Sequence, residues 1–125
     1  VGNVHAIAHQ LGGRYGIPHG LANSLVLPHV LEFTFEETKA QLAELAETAG
    51  VAESGAGEEA NARAFIQAVR DLKKAVGLPE RSEKIRAEDY DYLTELALKE
   101  CEGYPVPRML DREATLEILA GITAR

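Results

Sequence analysis

The chain has 125 residues, a formal net charge of −7 at pH 7 and 46% hydrophobic residues. This size and composition suffice for one domain with a buried core. The negative charge argues against a surface that binds nucleic acid or an anionic membrane, and no signal peptide or apolar run of about 18 residues is visible. A single cysteine excludes an intramolecular disulfide framework. It fits a reducing compartment, so a cytoplasmic location is predicted.

The first two predicted helices are separated by a glycine-rich turn. Residues 1–11 carry four apolar residues at the i, i+3, i+4, i+7 spacing of a helix: Val4, Ile7, Ala8 and Leu11. The pair Gly12-Gly13 is predicted to end this helix. Pro18 opens the second helix, residues 19–33, which is apolar nearly all round and is therefore predicted to lie at the centre of a bundle. Pro28 should kink it, because proline cannot bond the carbonyl four residues earlier.

Four more helices are predicted, over residues 36–49, 58–76 and 88–100 and from Asp111 onward. Gly50 and the Gly77–Pro79 segment are stop signals, and Asp111 is a predicted N-cap. The expected inward residues are Leu42, Leu45, Ala46, Ala49, Phe65, Val69, Leu72, Val76, Leu93, Leu96, Ala97, Leu116, Leu119 and Ile122. No convincing strand pattern is seen. The prediction is an all-α fold, a helical bundle of six or seven helices.

All four histidines lie in the first 29 residues. His5 and His9 are one helical turn apart, so both imidazoles project from the same face. A straight helix would hold His19 roughly 21 Å from His5, but the glycine-rich turn is predicted to bring it back toward that face. Imidazole is a common metal ligand, and a metal needs three or four converging ligands. The alternative is that these histidines serve packing, as predicted for His29, a core histidine with one backbone partner.

The run GNVHAIAHQLGGRYGIPHGLANSLVLPHV, residues 2–30, resembles a signature of the iron-containing (group III) alcohol dehydrogenases. Its H-x3-H pair, its glycine turn, Pro18-His19-Gly20 and the later Leu-Pro-His-Val all match. The resemblance implies the C-terminal helical metal-binding domain of that family, with a dehydroquinate synthase-like fold. In the complete enzyme one divalent metal would assist hydride transfer between an alcohol and NAD or NADP. Iron is the first choice for this metal and zinc the alternative.

The resemblance also implies residue roles. The family's metal is held by an aspartate and three histidines, and the last two of these histidines match His5 and His19. His9 matches a histidine that faces the nicotinamide and the substrate without binding metal, so His9 is the predicted catalytic and cofactor-binding residue. The implied partners are a small alcohol or aldehyde, with no nucleic acid and no membrane.

The single domain, residues 1–125, is expected to be the C-terminal portion of a longer enzyme. The nucleotide-binding domain and two metal ligands are expected to be absent, so the fragment itself is predicted to be inactive. Because the helix that carries His5 and His9 would face those missing parts, its apolar residues are predicted to be uncovered. Such a face favours a homodimer or a higher oligomer through Val4, Ile7, Ala8 and Leu11.

Two other interpretations remain open. A maleylacetate reductase-like oxidoreductase shares the H-x3-H helix, although the residues that follow His19 look more like the alcohol dehydrogenases. A non-catalytic helical interaction domain with structural histidines is the second. Residues 101–108 read CEGYPVPR where the family more often has Asn-Pro-Arg after three spacer residues, so Cys101 is either a pocket residue or a plain buried thiol.

Overall fold

A computed structural model describes residues 2–103 and 108–124. Within these ranges the chain forms α-helices and one short 3-10 helix, Ala87–Asp89, and the only β pairing is a single bridge between Ser82 and Thr123. The all-α prediction is therefore confirmed. The α-helices are α1 Gly2–Tyr15, α2 His19–Phe33, α3 Phe35–Ala49, α4 Glu58–Ala75, α5 Tyr90–Cys101 and α6 Arg112–Ile122.

Helix α1 is longer than predicted, because it runs through Gly12 and Gly13 to Tyr15. Glycine inside a helix costs only about 1 kcal/mol relative to alanine, so packing can override it. The helix ends where Gly16 adopts a φ of 68°, a left-handed conformation that a side chain would disfavour. The predicted end at Gly12-Gly13 was wrong for this reason.

Helix α2 lies at the centre of the fold, as predicted. It packs against α1, α3, α4 and α6, and Leu25, Val26 and Pro28 are buried along it. Pro18 precedes it as the N-cap residue, with a ψ of 140° that is extended rather than helical. An apolar helix with few solvated positions requires neighbours on most sides, and α2 has them.

The main core is built from α1, α2, α5 and α6 together with Ile17, Ile85 and Leu110. The apolar face of α1 lies inside this core: Val4, Ile7, Ala8 and Leu11 are at most 5% exposed. The prediction that this face is uncovered was wrong, so these residues give no support to a homodimer. Helix α5, about 90 residues later in the chain, packs on α1 and covers it together with α2.

Helices α3 and α4 pack on each other and form a second, smaller cluster. Its buried members are Phe35, Leu42, Ala62 and Ile66. Four residues predicted to face inward are instead exposed, namely Ala49, Leu45 (47%), Leu72 (64%) and Val76 (63%). A helix paired mainly with one neighbour buries only a narrow stripe, so the flanks of its apolar face stay in contact with solvent.

The C-terminal helix α6 follows the sequence prediction closely. The Asp111 side chain accepts a 2.7 Å hydrogen bond from the backbone N–H of Ala114, which makes it the N-cap. Leu119 and Ile122 are buried against the rest of the core. Among the helices of the described residues, none combines the length and apolar character that crossing a membrane requires.

Candidate functional site

The imidazoles of His5, His9 and His19 form a triangle. The ring centres of His5 and His19 are 5.5 Å apart, those of His5 and His9 are 5.6 Å apart, and those of His9 and His19 are 5.8 Å apart. The predicted convergence of His19 on the face that carries His5 and His9 is therefore present. The rings of His5 and His19 are stacked, with 25° between their planes.

The short connection between α1 and α2 explains this convergence. His9 lies six residues before Tyr15, which is about 9 Å along the helix axis. The three connecting residues, 16–18, can span about 10 Å when extended, enough to return the chain to the level of His9. Ile17 is buried, at 3% exposure, and anchors the connection against the core. His19 is the first residue of α2 and so projects at this level.

Each of two histidines has a polar neighbour. His9 Nδ1 lies 2.8 Å from Oε2 of Glu100 on α5. His19 Nε2 lies 3.2 Å from the side-chain amide nitrogen of Asn23, one turn further along α2. The other end of that amide, Asn23 Oδ1, is buried and has no hydrogen-bond partner among the residues that the structure describes.

The donor set fits part of a metal site. Two imidazoles that bind one metal at about 2.1 Å have ring centres roughly 3.2 Å from it, and so at most roughly 6.4 Å apart. The 5.5 Å between His5 and His19 satisfies this limit, as do the 5.6 Å and 5.8 Å that separate His9 from these two rings. However, no group of three or more His, Cys, Asp or Glu side chains in residues 2–103 and 108–124 is arranged to hold a metal ion. These residues therefore supply an incomplete ligand set.

An apolar cavity of about 620 Å³ opens beside His5, between α1, α2 and α3. Its wall surface is mostly apolar, and its lining residues also include the polar Asn3, Asn23 and Ser24. The cavity gives His5 an open side. A further ligand could reach His5 from that direction.

His29 lies apart from this site, as predicted, but its surroundings differ from the prediction. It is partly buried, and among the described residues no backbone partner is found for its ring. Instead the ring packs against Gly121 of α6. Burial, with smaller contributions from nearby cations such as Arg70, lowers the pKa of His29 below its ordinary value.

Cys101 is a buried thiol, which is the alternative to a pocket role that the sequence left open. It is fully buried, and its Sγ donates to the side-chain oxygen of Asn3 at 3.0 Å. The amide of Asn3 in turn donates to the backbone carbonyl of Arg108 at 2.9 Å. This chain of contacts ties α1, α5 and the segment before α6 together. Residues 104–107 of the candidate pocket loop lie outside the described residues.

Sequence reasoning missed two residues of the site. Asn23 could have been found, because it lies four residues after His19 on a predicted helix and therefore on the same face. Glu100 could not, because 91 residues separate it from His9 and no local pattern links the two. Only the packing of α5 on α1 brings them together.

Comparison with known proteins decides the family. Residues 1–123 match the family model described as "Fe-containing alcohol dehydrogenase family, C-terminal". The chain belongs to the iron-containing alcohol dehydrogenase family. The resemblance noted from residues 2–30 is thereby confirmed, and it extends over nearly the whole chain.

Relatives in the iron-containing alcohol dehydrogenase family are similar over a comparable range. The chain is 35% identical over 120 residues to 1,3-propanediol dehydrogenase of Citrobacter freundii, covering 94% of this chain and 31% of the relative. It is 38% identical over 120 residues to lactaldehyde reductase of Escherichia coli K12, covering 94% of this chain and 30% of the relative. The chain thus spans about a third of the length of these curated relatives.

Solved structures of the family share the fold. A crystal structure of 1,3-propanediol oxidoreductase superposes with a TM-score of 0.89 at 33% identity, over 96% of this chain and 32% of that one. An alcohol dehydrogenase from Oenococcus oeni gives a TM-score of 0.87 at 35% identity, over 98% of this chain and 32% of that one. The helical arrangement described above is therefore the C-terminal fold of the family.

Proposed function

We propose that this chain is the metal-binding helical domain of an NAD(P)-dependent alcohol dehydrogenase. His5 and His19 hold one divalent metal, for which iron is the first choice and zinc the alternative. His9 faces the substrate and the nicotinamide. The observation that supports this assignment is the 5.5 Å separation of the His5 and His19 rings across the α1–α2 turn. Histidines that served only packing would have no reason to converge at a solvent-accessible edge of the fold.

The two proposed ligands are suited to a metal by their position. His5 is partly buried at the mouth of the apolar cavity, and His19 is exposed at the start of α2. When bound, the metal would polarise the oxygen of the alcohol or aldehyde. The Asn23 amide contacts His19 Nε2. With this amide turned by 180°, its Oδ1, which lacks a partner among the described residues, accepts the Nε2–H of His19 and leaves Nδ1 for the metal, as partners of metal-bound histidines usually do.

The proposed substrate is a small alcohol or aldehyde, because the relatives are named for reactions of propanediol and lactaldehyde. We propose neither a nucleic acid nor a membrane partner, given the net charge of −7. A cytoplasmic location is proposed because a single, buried cysteine suits a reducing compartment. Assembly into a homodimer or higher oligomer stays a prediction. The apolar face of α1 that motivated it is buried and gives it no support.

Metal titration of the purified chain tests the assignment. Zn²⁺ added to the wild-type chain should bind weakly in calorimetry, because two histidines leave half of a tetrahedral site to water or buffer. His5→Ala and His19→Ala should each abolish this binding, whereas His9→Ala should weaken it less.

His29→Ala is the matched control, since it removes an imidazole that lies outside the triangle. Circular dichroism of each variant checks that the chain remains helical. Equal zinc binding by wild type, His5→Ala and His19→Ala would favour the alternative of a non-catalytic helical domain.

A further inference from the structure

The carboxylate of Glu100 is held from two sides by residues of α1. Its Oε2 lies 2.8 Å from His9 Nδ1, and its Oε1 accepts a hydrogen bond from the Gln10 side-chain amide at 3.4 Å. Gln10 is itself anchored, because the same nitrogen donates to the backbone carbonyl of Ala6 at 3.1 Å. Glu100 therefore meets His9 with a fixed orientation, although 29% of its side chain is exposed.

This contact determines which nitrogen of His9 carries the proton. An ionised carboxylate can only accept hydrogen bonds, so the 2.8 Å contact requires Nδ1 to be the donor. In a neutral imidazole the proton on Nδ1 leaves Nε2 as an acceptor. Nε2 is on the opposite side of the ring from Glu100. The carboxylate thus sets both the tautomer and the direction of the free nitrogen.

We propose that Glu100 is a positioning residue for the reaction, an inference that rests on the proposed function. It holds His9 in the Nδ1–H form so that Nε2 can accept a hydrogen bond from the hydroxyl group of an alcohol substrate. His9 is 46% exposed and its ring centre lies 5.8 Å from that of His19, so a hydroxyl near the proposed metal ligands is within its reach. In this role Glu100 acts through His9, its hydrogen-bond partner, and not by contact with substrate or metal.

Nitrogen NMR of the ¹⁵N-labelled chain tests this directly and needs no bound metal. At a pH well above the ordinary imidazole pKa of about 6.5, long-range proton–nitrogen spectra distinguish Nδ1–H from Nε2–H rings. His9 of the wild type should be mostly Nδ1–H. In Glu100→Ala the Nδ1–H form should become the minor one, as in free histidine, while the rings of His5 and His19 keep their spectra.

Glu95→Ala is the matched control, because Glu95 is an exposed carboxylate on the same helix. It should leave the His9 spectrum unchanged. A wild-type His9 in the Nε2–H form, or an Nδ1–H share that Glu100→Ala does not lower, overturns the proposal. The zinc titration of His5→Ala and His19→Ala tests the proposed function, and the nitrogen spectra test the positioning role. Because the two measurements are separate, a negative result in one is distinguishable from a negative result in the other.

Discussion

The surroundings of His29 make the stability of this protein depend on pH. Burial and neighbouring cations disfavour the imidazolium, so the folded chain binds a proton at this site less readily than the unfolded chain does. Below the unfolded pKa of about 6.5, protonation therefore pulls the equilibrium toward the unfolded state. The free energy that neutral His29 contributes to folding is fully present above that pH. It is lost as the pH falls toward the lower pKa that His29 has in the folded state.

We expect the free energy of unfolding of the wild type to decrease as the pH falls below about 6.5. A His29→Gln variant should lose part of this slope, because glutamine does not titrate. Urea denaturation at a series of pH values measures both slopes. Identical slopes in the two proteins would contradict this explanation.

Gly121 is the residue against which the His29 ring packs. A Cβ built at Gly121 would lie 2.8 Å from Cε1 of that ring, closer than real contacts allow. Gly121→Ala should therefore force the ring or α6 to move and destabilise the fold by about 1–3 kcal/mol. Thermal or urea unfolding provides the measurement.

Gly13→Ala is the control for the Gly121 substitution, since a Cβ at Gly13 meets nothing within 4 Å. It should be neutral or stabilise by up to about 1 kcal/mol, because alanine favours a helix. If the clash with the ring is the cause, the double variant Gly121→Ala/His29→Ala should be less destabilised than the sum of the two single variants. Simple additivity would refute the clash.

At the scale of elements, α2 combines a central position with an internal proline. Pro28 is buried and lacks the N–H that would bond the carbonyl of Ser24. Pro28→Ala restores this donor and helix propensity, but it removes a packed ring from a helix that touches four others. We expect the packing loss to dominate, with a net destabilisation of about 1 kcal/mol.

Chemical denaturation of Pro28→Ala provides the measurement for this helix. Pro79→Ala serves as the comparison, because Pro79 is exposed and outside the helices, so its removal should change stability by less than about 0.5 kcal/mol. A higher melting temperature for Pro28→Ala than for the wild type would show that the proline is incidental to packing.

At the scale of the whole molecule, the chain covers about a third of its curated relatives, and its described residues carry an incomplete ligand set. No glycine-rich phosphate loop after a strand occurs in the sequence. We therefore expect the purified chain to show no NAD(P)-dependent oxidation of 1,3-propanediol, even with iron or zinc added. Absorbance of the reduced cofactor reports the rate, and a rate above that of a His5→Ala/His19→Ala preparation would contradict this expectation.

The sequence by itself determined the features that depend on near neighbours. Helical periodicity, the Asp111 cap and the Pro18 start all follow from interactions within one turn of helix, and the structure confirms them. The H-x3-H spacing likewise placed His5 and His9 on one face. The family followed from a thirty-residue run because its glycines, prolines and histidines stand at fixed spacings.

Only the tertiary structure decided which faces are covered and which distant residues meet. Periodicity marks an apolar face but does not say what packs on it, so Ile7 lies buried under a distant helix while Leu72 stays in solvent. The left-handed Gly16 and the buried Ile17 set the approach of His19 to His5. The contact of Glu100 with His9 exists because α5 packs on α1, and the net free energy of all such burial, rather than any local preference, selects that arrangement.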